Sequence, residues 1–101
     1  MQPAIQAIWQ RSIPQTRERL QLLQSAAEQL SNSRSLDAEL RAEAIAVAHK
    51  LAGSLGMFGF AEATEHARSI EQQLEHDGLP QPERLQASVD ALSETLREAL
   101  A

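Results

Sequence analysis

Residues 46–60 read AVAHKLAGSLGMFGF, and they hold the only lysine of the chain, one of its three histidines, three of its four glycines and both phenylalanines. At about 100° per residue along a helix, Val47, Ala48, Leu51, Leu55 and Phe58 continue one apolar stripe that begins at Leu40 and Ala44. The same rotation carries His49 roughly 150° away from that stripe, so it faces outward. Ala42, Ile45, Ala46, Ala52, Gly53 and Gly56 are placed around it on the outer face. An exposed helix face ordinarily carries Glu, Lys, Arg and Gln, and this one is cleared of them. A glycine inside a helix costs roughly 1 kcal/mol relative to alanine, and Gly53 stands about one turn beyond His49. A missing side chain there lets a bulky group on the imidazole, or the backbone of a partner, approach the helix. The surrounding Ala and Ile residues form a small apolar landing surface of the kind that marks partner contact.

The rest of the chain is written in the same vocabulary. Its 101 residues suit one domain with one modest core. Apolar residues make up 43 % of it, mostly Leu, Ala and Ile, with three aromatics in all and no Tyr. Unbranched side chains lose little rotamer freedom in a helix, whereas strands would need runs of Val, Thr and aromatics. An all-α fold follows. Fourteen acids against nine bases give a formal charge of −5 with no basic stripe, which argues against DNA or RNA as a partner. There is no Cys, so disulfides and thiolate metal sites are excluded. The N-terminal stretch lacks the basic start and apolar run of a secretory signal, and the charge-poor segment 44–60 is short for a membrane span and has His49 and Lys50 in its middle. These features predict a cytoplasmic protein with no membrane partner.

Apolar spacing predicts four main helices. Pro3 and Pro14 each suit a first helical turn, so the start reads as a short extra helix over 3–11 followed by a longer one over 14–30, with a single kinked helix as the alternative. The longer piece turns Ile13, Leu20, Leu23, Ala27 and Leu30 inward, and the polar run 31–35 ends it. Ser35 is expected to cap the second helix, with Asp37 and Glu39 in its first turn. The third helix begins after Gly59, buries Phe60, Ala63, Ala67, Ile70 and Leu74, and ends at Gly78. Pro82 opens the fourth, whose stripe is Leu85, Val89, Leu92, Leu96 and Leu100. Short connections leave each helix its sequence neighbour to pack on, which predicts an antiparallel up-down four-helix bundle. Phe58 and Phe60 plug the turn between the second and third helices, and Trp9 closes one end of the bundle.

One exposed histidine, with no Ser, Cys or carboxylate pair beside it in sequence, suits nucleophilic attack through a neutral imidazole, one nitrogen attacking while the other donates a hydrogen bond. A phosphoryl group is the natural electrophile. The product bears roughly two negative charges, so a nearby cation and a cleared surface both favour it. Lys50 is adjacent in sequence but about 100° around the helix, where it reaches the rim of such a site.

The segment resembles the histidine phosphotransfer (HPt) domain, whose pattern is a helix reading A-H-x-L-K-G-S-S-x-x-x-G followed by a helix with a spaced Leu-Glu pair. Ala48, His49, Leu51, Gly53, Ser54 and Gly59 occupy matching positions, and Ile70 and Glu71 stand in the register of the Leu-Glu pair. The resemblance covers about residues 44–75 in motif. It implies a phosphocarrier without autonomous catalysis and without a cofactor of its own. In that role His49 takes a phosphoryl group from an aspartyl phosphate on a receiver domain, or from a hybrid histidine kinase, and passes it to another receiver. The partner supplies the Mg²⁺ and the acidic pocket. Lys50 and Gly53 then belong to the phosphate environment, and Ala42, Ile45, Ala46, Ala52 and Gly56 to the docking face of a monomer. The family commonly has a lysine three residues after the histidine, and here that position is Ala52. Lys50 or an arginine of the next helix such as Arg68 serves instead, or the phosphate relies on solvent and the partner. The polar residue that orients the imidazole from the neighbouring helix is not assigned by the sequence.

Other readings are available for the same residues. A bundle that docks a receiver or kinase without being phosphorylated shares the surface but not the chemistry. The dimerising helices of a sensor kinase resemble S-H-E-L-R-T-P, and Lys50 stands where that pattern has Glu. His66 reads as a boundary histidine of the third helix and His76 as a ring that complements that helix's dipole. No two histidines have the i, i+4 spacing of a metal pair.

Overall fold

The computed structural model describes residues 1–101 and contains four helices and no strand. They are α1 (Pro3–Ser33), α2 (Ala38–Met57), α3 (Ala61–Glu75) and α4 (Pro82–Leu96). Each helix packs on its sequence neighbours, α4 closes on α1, and the backbones of the diagonal pairs stay apart. The ring encloses one cluster of 22 buried apolar residues.

The break expected at Pro14 does not occur, and the predicted short N-terminal helix is the first third of α1. Pro14 removes one backbone donor and crowds the carbonyl four residues back, yet its neighbours hold the helix together. The Ser12 hydroxyl donates to the Trp9 carbonyl at 2.8 Å and the Thr16 hydroxyl to the Ser12 carbonyl at 2.9 Å. Trp9 and Ile13, just before the proline, are both buried. The Trp9 ring meets Phe58 edge-on at 5.2 Å and lies tilted against Phe60 at 4.9 Å, and its indole N–H donates to the Ala99 carbonyl at 3.2 Å. The Arg17 guanidinium donates to the Leu100 carbonyl. Contacts made some 80 to 90 residues away in sequence thus hold both sides of Pro14 in one helix.

The cap of α2 also differs from expectation. Asp37, not Ser35, is the N-cap, and its carboxylate accepts from the Leu40 N–H at 3.0 Å. The polar run 31–35 does not stop α1 at once, because Ser33 is still helical and Arg34 takes the left-handed conformation with its N–H on the Leu30 carbonyl. At the other end of α2, Gly59 has φ +83°, and the chain turns there so that the Phe60 N–H reaches the Leu55 carbonyl at 2.9 Å. A side chain is strained at that φ, which accounts for this glycine. The turn leads from α2 into α3.

The far end of α3 is fastened by Arg41, near the start of α2. Its guanidinium donates to the carbonyls of Leu74, His76 and Gly78 at 2.9, 2.7 and 2.7 Å. Those carbonyls lie at and just beyond the end of α3, which stops at Glu75 rather than running on to Gly78. Between the Gly59 turn and the Arg41 fastening, α2 and α3 pack together, and Ala44, Ala48, Ala63 and Ala67 of the two helices are fully buried. Small side chains on both helices permit that approach, and it sets the distance between side chains on their outer edges.

Candidate functional site

The cleared face of α2 lies along the outer edge of its seam with α3. His49 projects from it with its side chain 77 % exposed. Ring nitrogen Nδ1 is 2.9 Å from a carboxylate oxygen of Glu71, which comes from α3 and is 19 % exposed. A carboxylate only accepts, so the proton of the neutral ring resides on Nδ1 and Nε2 keeps its lone pair. The Glu71 carboxylate also stabilises positive charge that develops on the ring when Nε2 forms a bond. Glu71 holds the imidazole from outside α2, and it fills the orienting role the sequence leaves unassigned. Its signal in the sequence was its place beside Ile70 in the register of the Leu-Glu pair.

A shallow cleft next to the ring is lined by His49, Ala52 and Gly53 of α2 and by Arg68, Glu71 and Gln72 of α3. A Cβ placed on Gly53 would meet nothing within 4 Å, so no packing inside the fold requires a glycine there. At Gly56 a Cβ would meet the Thr64 side chain at 3.7 Å, an ordinary contact. Ala42, Ala46, Gly53 and Gly56 are exposed, and Ile45 is half-buried against the core. Ala52 departs from the expected outward position, for it is only 7 % exposed and belongs to the core cluster. It completes the row of buried alanines Ala44, Ala48, Ala52 at i, i+4 spacing. The surface gains an apolar residue that the sequence reading left out, since Met57, next to Gly56, is 70 % exposed.

Lys50 is exposed but is not among the residues that line the cleft. The cation of the lining is Arg68, whose guanidinium lies 3.2 Å from the Glu65 carboxylate one turn earlier on α3. His66 and His76 stand apart from this site. His66 pairs loosely with Glu62 at 3.8 Å, and His76 caps α3 with Nδ1 2.9 Å from the Asp77 carbonyl. A larger groove runs between the end of α3 and the start of α4, where Gln73, His76, Asp77 and Arg84 contribute. No imidazole there is paired with a carboxylate, so that groove lacks the arrangement that frees a ring nitrogen at His49.

A family model described as the Hpt domain matches residues 7–101. Comparison with curated proteins and with solved structures gives no match. Hpt domains serve histidine phosphotransfer in two-component phosphorelays, where they interact with receiver domains and kinases. No helix of this chain is long and apolar enough to cross a membrane. The matched residues take in almost all of α1 and the whole of α2, α3 and α4, and the chain belongs to the Hpt domain family.

Proposed function

We propose that His49 accepts a phosphoryl group from the aspartyl phosphate of a receiver domain, or from a kinase, and passes it to the aspartate of another receiver. The observation that carries this reading is the Nδ1 contact to Glu71 at 2.9 Å on a ring that is 77 % exposed. The Nε2 lone pair attacks phosphorus, the Nε2–P bond forms, the P–O bond of the acyl phosphate breaks, and the donor's carboxylate leaves with the electron pair. The ring keeps its proton on Nδ1, and Glu71 balances the charge the ring acquires. Transfer onward is the same step reversed on a second receiver. The chain supplies a nucleophile and a surface, so it is a phosphocarrier rather than an enzyme with its own turnover.

Gly53 leaves room for the phosphoryl group beside the ring, and exposed Lys50 attracts its charge from the rim. Ala42, Ala46 and Gly56, with the edge of Ile45, form the docking face, and Ala52 lies beneath it as the floor of the cleft. The end-to-end contacts support an antiparallel, up-down bundle, since the start of α1 meets the end of α2 through Trp9 and Phe58, and the start of α2 meets the end of α3 through Arg41. The same reading makes the 101 residues one monomeric module working in the cytoplasm.

The test is incubation with a receiver carrying a radiolabelled aspartyl phosphate. The native chain is expected to take up label that is acid-labile and base-stable, as a phosphohistidine is, and His49→Gln is expected to take up none while keeping its helical circular dichroism. Label persisting in His49→Gln would overturn the assignment. A native chain that binds the receiver without taking label would replace it with the docking-only reading.

A further inference from the structure

We propose that Arg68 is the side chain that pairs with the phosphoryl group on His49, and that Glu65 is the resting partner it leaves to do so. The inference rests on the phosphocarrier reading and adds the residue that stabilises the charged product. The position three residues past the histidine is Ala52, whose methyl side chain offers no polar contact. Lys50 lies outside the cleft lining. Arg68 lies within it, one turn before Glu71 on the same face of α3, and opposite it α2 offers the open surface of Gly53. Its side chain is 58 % exposed, and its only ion pair is the i, i+3 contact with Glu65 at 3.2 Å. A solvated pair of that kind contributes little, so it is readily exchanged for a partner bearing two negative charges. Guanidinium presents paired donors to phosphate oxygens, which a point charge at the rim does not.

Arg68 also borders a second hollow, shared with Gly56, Gly59, Ala61, Thr64 and Glu65. The arginine therefore stands between two depressions on one seam. In the resting state it leans along α3 to Glu65, and in the phosphorylated state it turns toward the ring. No covalent change accompanies the exchange. The carboxylate of Glu65 returns to water and the guanidinium takes phosphate oxygens in its place.

The experiment needs no partner protein. Phosphoramidate phosphorylates the chain directly: Nε2 attacks phosphorus, the P–N bond breaks, and ammonia leaves. The phosphohistidine resonance of His49 in the ³¹P spectrum is identified by its loss in His49→Gln, and its titration reports the second acid dissociation of the phosphoryl group. A cation in contact favours the doubly charged form. Arg68→Ala is expected to lower that dissociation constant about three- to fivefold, the size set by one screened charge at close range. Arg68→Lys is expected to restore part of the loss, and Lys50→Ala to change the constant by less than half as much as Arg68→Ala. Glu65→Gln, which frees the arginine, is expected to move it the opposite way by about twofold, and that effect should shrink when Arg68 is already alanine. An Arg68→Ala titration that overlays the native one, or a larger shift in Lys50→Ala, would overturn the inference while the phosphocarrier reading stands. No native resonance that disappears in His49→Gln would overturn both.

Discussion

Two helices of this bundle carry an interior residue that disfavours helix, and the fold treats them differently. Pro14 in α1 is surrounded by compensation. Trp9 and Ile13 are buried on one side and Thr16 on the other, and Trp9 and Arg17 reach carbonyls beyond the end of α4. Gly53 in α2 has none, because apart from its own turn of helix nothing comes within 4 Å of where its side chain would be. A costly residue that the core offsets is a matter of folding. One that the core ignores points to something outside the chain, and here it lies one turn from the histidine whose Nε2 is free.

Removing the anchors around Pro14 should have the largest effect. Trp9→Ala deletes a buried ring, its edge contact with Phe58, its packing on Phe60 and the bond to Ala99. The expected loss is about 3–5 kcal/mol. That is a large share of the roughly 5–15 kcal/mol available to a domain of this kind. Denaturant unfolding would show a lower midpoint with an unchanged slope if the native state is otherwise kept. A loss well under 1 kcal/mol would mean that α1 does not depend on this anchor.

The proline itself gives the next effect, of opposite sign. Proline is about 3 kcal/mol worse than alanine inside a helix, while its removal loosens the unfolded chain by about 0.4–1 kcal/mol, so Pro14→Ala should stabilise the fold by about 2 kcal/mol. Pro14 is exposed, so no packing opposes the change. The expectation is a higher unfolding midpoint with phosphotransfer from a receiver unaltered. A destabilised variant would show instead that the proline shapes α1 to seat Trp9.

Local rules read this fold where side chains answer to their own helix. The stripe Leu85, Val89, Leu92, Leu96 of α4 is buried as the spacing predicts, whereas Leu100, expected on the same helix, is buried in the turn beyond its end. They misread it where distant segments decide. Pro14 is a helix start by local chemistry, and only anchors from the other end of the chain make it an interior residue. Ser35 and Asp37 are both competent caps, and the Gln29 side chain, which accepts from the Asp37 N–H at 2.7 Å, helps settle the register at Asp37. Ala52 looks outward by rotation from the Leu51 and Leu55 stripe, but α2 is covered by α1 on one side and α3 on the other, so its buried arc is wider than one stripe. Within the site, the outward placement of His49 was legible from the helix alone. Its partner Glu71, 22 positions on, needed the α2–α3 turn before any distance between them existed.

The smallest effect falls on the other side of the comparison, at Gly53. An alanine there gains helix propensity and meets open space, so Gly53→Ala should stabilise the fold by about 1 kcal/mol and raise the melting temperature by about 4–8 °C. Transfer from a phosphorylated receiver should slow severalfold at the same time, because the new methyl occupies the surface beside the phosphoryl position. The two readouts moving in opposite directions is the signature of a residue kept for function at the expense of stability. Measuring the rate with phosphoramidate as well as with a receiver locates the obstruction. Slowing with both donors places it at the phosphoryl group, whereas slowing with the receiver alone places it at the docking face. If the variant is more stable and transfers at the native rate with both, Gly53 serves neither, and the contrast with Pro14 carries no functional meaning.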